Sequence, residues 1–138
     1  SPHILNNFGL ASAIKDFSNK IDSKVLHINF ESNAFNKRFE ENVEVVLYRV
    51  VCELINNTMK HAKARLADIN LTHQHKTILL SYSDDGIGFN VNQVVSESSQ
   101  VNGMGYSNML SRVNSIKGKM DVESAPESGT RVLIRVKV

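Results

Sequence analysis

One cysteine, Cys52, stands among 138 residues, so no internal disulfide can form. It falls in an apolar helical pattern and reads as a small buried hydrophobe. A lone thiol suits a reducing compartment. The chain also lacks an excess of either charge. Sixteen basic side chains oppose 14 acidic ones, for a net charge of +2, which is too balanced to argue for nucleic acid or an anionic membrane surface as a direct partner. No apolar run approaches the roughly 18 residues of a spanning helix, and no signal peptide is legible. What is present is ordinary for a globular domain. Apolar residues make up 41% and charged residues 22%, and the length suits one domain with one core. The chain starts Ser1-Pro2 and stops in a strand-like run, so it reads as a piece of something longer.

The hydrophobic rhythm orders the chain. Ala13, Ile14, Phe17 and Ile21 have helical spacing and predict a helix over 11–21. Residues 24–31 alternate, with Leu26, Ile28 and Phe30 on one face and Val25, His27 and Asn29 on the other. They predict a half-buried strand with His27 toward solvent. The longest helical pattern covers 40–64, where Val43, Leu47, Val50, Val51, Leu54, Ile55 and Thr58 share one stripe. Strands follow over 68–72 and 77–83, around a loop in which His73 and His75 lack a third metal ligand. Residues 90–102, rich in serine and asparagine, read as a loop. A helix over 106–116 and strands over 119–124 and 130–138 complete the order. The expected fold is an α/β two-layer sandwich, with one mixed, mostly antiparallel sheet covered by helices on one face.

Three motifs carry chemistry. In Ser83-Asp84-Asp85-Gly86-Ile87-Gly88-Phe89, an acid leaves a strand and meets two glycines spaced by one residue. Asp84 can accept a hydrogen bond from an exocyclic amine, and Gly86 and Gly88 let a planar ring approach the main chain. The same pattern also marks ordinary turns. On the long helix, Glu53, Asn57 and Lys60 or His61 share a face. A carboxylate there suits a general base, an amide oxygen suits Mg²⁺, and a cation suits phosphate. A merely polar helix edge would look the same. Gly103-Met104-Gly105-Tyr106 opens a helix, whose free N–H groups suit phosphate, or forms a glycine hinge. Thr130, in the turn before the last strand, either reaches a nucleotide or shapes that turn.

Taken together, these motifs resemble the catalytic domain of sensor histidine kinases, within the Bergerat-fold ATPases. Residues 53–64 look like the N box, Asp84 to Gly88 like the G1 box, and Gly103 to Gly105 like the G2 box. Leu47-Tyr48-Arg49-Val50-Val51 before Glu53, Lys60-His61-Ala62 and Met109-x-x-Arg112-Val113 resemble the subfamily paired with NarL-type response regulators. So do Gly129-Thr130-x-Val132 and the opening Pro2-His3-x-Leu5. The resemblance implies a Bergerat-type fold and ATP with Mg²⁺ as ligands. Residues 1–10 would be a linker from a dimerisation and phosphoacceptor hairpin, and 11–138 the ATP-binding domain. Asp84 would bind the adenine amine over Gly86 and Gly88. Asn57 would hold Mg²⁺ against the phosphates. Glu53 would act as general base or orient the accepting imidazole. Lys60 would contact phosphate, with His61 near the nucleotide. Gly103, Met104, Gly105 and Tyr106 would bracket the triphosphate, Thr130 would add an adenine-side contact, and residues 90–102 would form the ATP lid.

The implied activity is transfer of the γ-phosphoryl group to a histidine on a separate hairpin, in the cytoplasm or on the cytoplasmic part of an anchored sensor. The implied partners are that hairpin and a response regulator. Pro2-His3-Ile4-Leu5 resembles an acceptor box of another subfamily. However, too few residues separate His3 from Asn57 to hold two helices of about 25 residues each as well as the sheet's first elements. The turn at Pro126-Glu127-Ser128-Gly129 departs from the subfamily's usual Pro-Gly-x-Gly. An anti-sigma-type serine kinase shares the pocket and is the competing enzymatic reading. A nucleotide-binding scaffold without kinase activity is the non-enzymatic one.

Overall fold

The computed structural model describes residues 2–92 and 105–138. Helix α1 (His3–Phe8) and helix α2 (Leu10–Lys20) meet at Gly9, whose φ of 91° turns the chain between them. Strand β1 (His27–Ser32) leads to helix α3 (Glu41–Asn57), which runs directly into a π-helical turn over Thr58–Ala62. Strands β2 (Leu66–Gln74) and β3 (Thr77–Asp84) form a hairpin. Helix α4 (Tyr106–Ser115), strand β4 (Lys119–Ser124) and strand β5 (Thr130–Lys137) follow.

The five strands lie in the order β1-β2-β3-β5-β4. β1 pairs parallel to β2, and every other pairing is antiparallel. Ala67, Ile69 and Leu71 of β2, Ile78, Leu80 and Tyr82 of β3, and Val132, Ile134 and Val136 of β5 are all buried. Between them, Asn70, Arg131 and Arg135 are exposed. That alternation is what a pleated strand with one covered face requires. Leu10, Ala13, Ile14, Leu47, Val50, Leu54, Ile55, Met109 and Val113 come from the helices to fill the same core. The expected sandwich is the fold observed.

The bounds shift where local hydrogen bonds compete. β1 starts at His27 rather than Lys24, because Asp22 holds a turn. Its carboxylate accepts the Lys24 N–H at 2.9 Å and its carbonyl accepts the Val25 N–H at 2.9 Å. β2 extends to Gln74 because it pairs with β3 from Ala67↔Asp84 to Gln74↔Thr77, and to Leu66 because that residue pairs with His27 of β1. The two-residue turn between them, His75 and Lys76, has positive φ at both positions, as a tight hairpin demands. His73 sits edge-on to Phe39, with ring centroids 5.1 Å apart.

Residues 1–10, expected as a linker, contain α1, and Leu5 is buried in the core. Arg38 clamps this helix from the loop before α3. It donates to the carbonyls of Leu5 and Asn6 and, through two nitrogens, to the Glu44 carboxylate. Cys52 is half-buried rather than buried, and burial pushes its thiol pKa up.

Candidate functional site

The helix expected to run unbroken to Ala64 changes pitch at Thr58. The Thr58 hydroxyl donates back to the Leu54 carbonyl at 2.9 Å. Such back-bonding loosens a helical ladder, and the π turn that follows closes at Lys63 with a left-handed φ of 52°. A wider turn places 3.6-spaced residues differently. Asn57 and His61 both border a recess, whereas Lys60 is exposed and lies outside that lining.

The recess is lined by Asn57, Thr58, His61 and Ala62 from α3 and the π turn, by Asp84 at the end of β3, and by Gly88 and Phe89 of the loop that follows. Tyr106 of α4 and Thr130 of β5 close the other side. The rings of Phe89 and Tyr106 lie 5.0 Å apart between centroids and pack against one another. Four elements distant in sequence thus converge on Asp84.

Asp84 is held from three sides. The Gly86 N–H donates to Oδ1 at 2.9 Å. The Thr58 and Tyr82 hydroxyls lie 3.0 and 3.2 Å from Oδ2 and touch one another. Burial, then the charge of Asp84, pushes the Tyr82 pKa far above the usual tyrosine range. The same two causes raise Tyr106. Both phenols therefore stay protonated and remain donors.

The glycines answer to packing as well as to the recess. A Cβ on Gly86 would overlap the carbonyl of Ala62, and one on Gly88, where φ is 66°, would overlap the carbonyl of Ala125. The Ile87 N–H donates to the Ala62 carbonyl at 2.7 Å, tying the π turn to the loop after β3. Asp85 secures that loop from behind. Its carboxylate accepts the N–H groups of Arg65 and Leu66 at 2.9 and 3.0 Å, which lowers its pKa. On the far side, the Ser124 hydroxyl accepts the Phe89 N–H at 2.9 Å and donates to the Gly129 carbonyl at 2.7 Å, with Thr130 Oγ1 3.0 Å away.

Glu53 lies one turn before Asn57. Gly105, the N-cap of α4 with φ of 65°, is so close that a Cβ there would sit 2.6 Å from Glu53 Oε1. The carboxylate therefore rests beside the start of α4. Gly103 and Met104, and residues 93–102 of the expected lid, lie outside the described residues.

Of the candidate residues, Asn57, His61, Asp84, Gly88, Tyr106 and Thr130 meet in one recess. Gly86 buttresses Asp84 from behind, and Glu53 flanks Gly105. Sequence reasoning passed over Thr58, Tyr82, Phe89 and Ser124. Thr58 offered one signal, a hydroxyl on an otherwise apolar stripe. Ser124 offered none, because its role depends on two turns meeting.

The fold is that of a family of ATPases. Residues 42–138 match the family described as histidine kinase-, DNA gyrase B-, and HSP90-like ATPase, and the chain belongs to that family. It is 27% identical over 138 residues to the oxygen sensor histidine kinase NreB of Staphylococcus carnosus, covering 99% of this chain and 39% of NreB. It is 31% identical over 127 residues to the sensor protein VraS of Staphylococcus saprophyticus, covering 92% of this chain and 34% of VraS. The chain thus spans little more than a third of the length of these curated relatives. Among solved structures, the catalytic domain of histidine kinase ThkA superposes with a TM-score of 0.73 at 17% identity, covering 94% of this chain and 93% of that domain. At that identity the likeness shows the fold.

Proposed function

We propose that this chain is the catalytic domain of a two-component sensor histidine kinase. It binds Mg-ATP and passes the γ-phosphoryl group to a histidine on a separate helical hairpin. The observation that carries the reading is Asp84, anchored at the floor of a recess that Asn57, His61, Tyr106 and Thr130 share. Asp84 accepts from the protein on both oxygens and still lines the recess, where an adenine amine can donate to a remaining lone pair.

Mg²⁺ fits the donor set. Asn57 offers a hard amide oxygen at a recess that Tyr106, the first residue of α4, also lines, and Mg²⁺ takes few protein ligands, completing its shell with phosphate and water. When bound, Mg²⁺ would neutralise developing phosphate charge. Glu53, beside the start of α4, is the candidate general base or orienter of the accepting imidazole. Gly105 and Tyr106 would bracket the triphosphate together with Gly103 and Met104. Lys60, exposed on the π turn, would reach phosphate from the rim. Gly86 and Gly88 would floor the base pocket, and Thr130 would contact the adenine side. His3 sits on the six-residue α1, whose Leu5 is buried in this domain, which supports an acceptor elsewhere. The response regulator would be of NarL type, and the domain would work in the cytoplasm. No helix among the described residues is long and apolar enough to cross a membrane.

Calorimetric titration with Mg²⁺ and a non-hydrolysable ATP analogue tests the site. Binding to the native chain that collapses in Asp84→Asn is the expected result, and no binding to the native chain overturns the reading. Adding an acceptor hairpin from the parent kinase with labelled ATP tests the reaction. An acid-labile phosphohistidine supports it, and an acid-stable phosphoserine points to the serine-kinase alternative.

A further inference from the structure

Thr58 and Tyr82 are 4% and 3% exposed. They contribute two hydroxyls to a core floor that valine and phenylalanine would fill with the same shape. Buried hydroxyls cost free energy unless they are bonded, and an apolar pair of equal shape is often neutral. The use of these two is visible. Both reach Oδ2 of Asp84, at 3.0 and 3.2 Å.

The protons can be counted. Thr58 has one and Tyr82 has one. In one arrangement Thr58 donates to the Leu54 carbonyl at 2.9 Å and Tyr82 donates to Asp84. In a second, Tyr82 donates to Thr58 and Thr58 donates to Asp84. The remaining possibility, Tyr82 donating to Thr58 and Thr58 to Leu54, would set Oδ2 against two hydroxyl oxygens with no proton between, which the carboxylate's charge disfavours. In both favourable arrangements Oδ2 receives a hydroxyl proton, while Oδ1 receives the Gly86 N–H. The χ2 torsion of aspartate is soft. A single bond at Oδ1 would pin one oxygen and leave the carboxylate plane free to turn. A second anchor at Oδ2 fixes the plane, and with it the direction in which the free lone pairs point.

We propose that Thr58 and Tyr82 are positioning residues that aim the Asp84 carboxylate at the exocyclic amine of adenine and so set the preference for adenine over purines lacking that amine. The proposal rests on the ATP-binding reading above. Positioning before binding saves the cost of ordering the acceptor when the ligand arrives.

The test compares ATP with purine riboside triphosphate, which lacks the 6-amino group, by calorimetry in Mg²⁺. The proteins are the native chain, Tyr82→Phe, Thr58→Val, the double variant Tyr82→Phe/Thr58→Val and Tyr82→Phe/Thr58→Ser, each with its thermal unfolding checked. The native chain should prefer ATP. Because either hydroxyl alone can still donate to Oδ2, Tyr82→Phe and Thr58→Val should each keep most of the preference. The double variant Tyr82→Phe/Thr58→Val should cut it about tenfold, the worth of one bond to a charged group, with purine riboside triphosphate affinity changing far less. Tyr82→Phe/Thr58→Ser, which keeps one hydroxyl, should keep the preference. Equal loss for both nucleotides would show a merely structural role and overturn the proposal. An undiminished preference in the double variant overturns it too, while the ATP site stands. A native chain that binds neither nucleotide, or both equally, defeats the Asp84 contact itself and the proposal with it.

Discussion

Gly86 lies against the main chain of Ala62 so closely that a Cβ at Gly86 would overlap the Ala62 carbonyl. The loop after β3 and the π turn after α3 are therefore one packed unit. Gly86→Ala must push the two apart, and overpacking of this kind costs about 1–3 kcal/mol. Thermal unfolding should show a lower midpoint in this variant, and an unchanged midpoint would mean that the contact is loose.

Glu44 is 3% exposed and shares its carboxylate between Arg38 and the Phe39 N–H. Removing Arg38 leaves a buried charge without its partner, which is worse than removing both. Arg38→Ala should lower the unfolding midpoint more than Glu44→Gln does. The Arg38→Ala/Glu44→Gln double variant should lose less than the sum of the singles. Additive losses would show that the pair is uncoupled.

Asp85 has a depressed pKa, because the backbone N–H groups of Leu66 and Arg65 stabilise its charge. A folded pKa below the unfolded value of 3.8 means that the unfolded chain binds more protons as the solution is acidified. The stabilisation is present above 3.8 and is lost as pH falls through the folded value. Asp85→Asn keeps an acceptor but loses the charge. Its stability between pH 2 and 5 should fall less steeply than that of the native chain, by a small amount because the group is exposed and screened. Denaturant titrations across that range would show it, and parallel curves would assign the acid sensitivity elsewhere.

Phe89 and Tyr106 pack against one another in the recess lining, where a bound base would contact them. The chain has no tryptophan, which makes Phe89→Trp a clean reporter. Its emission should change on adding an ATP analogue and saturate at the affinity found by calorimetry. Binding without an emission change would place the base away from this pair.

Glu53 touches the start of α4 without lining the recess. As a general base it would serve the transfer step rather than nucleotide binding. Glu53→Gln should hold ATP-analogue affinity within about twofold while phosphotransfer to an added acceptor hairpin falls about 10²- to 10⁴-fold. A matching loss of affinity would make Glu53 a binding residue instead.

Much of the site was legible from residue chemistry. Asp84 stood out because an acid followed by spaced glycines is locally unusual. Asn57 and His61 stood out because polar groups recur beside an apolar stripe. The strand alternation and the helical periodicity located every element of the sheet, since burial of one face imposes a period of two and a helix imposes one near 3.6. The clamp of Arg38 on α1 was not legible, because an exposed arginine looks the same whether or not carbonyls lie above it.

The order of elements, the one-faced sheet and the chemical identity of the recess follow from local pattern, which neighbouring residues encode. Tertiary structure alone decided that the long helix opens into a π turn at Thr58, turning His61 toward the recess and leaving Lys60 in solvent. It alone decided that Thr58, Tyr82 and Gly86 converge on one carboxylate. Those contacts join residues up to 26 positions apart across a helix, a strand and a loop, and no local periodicity specifies a distance through the core.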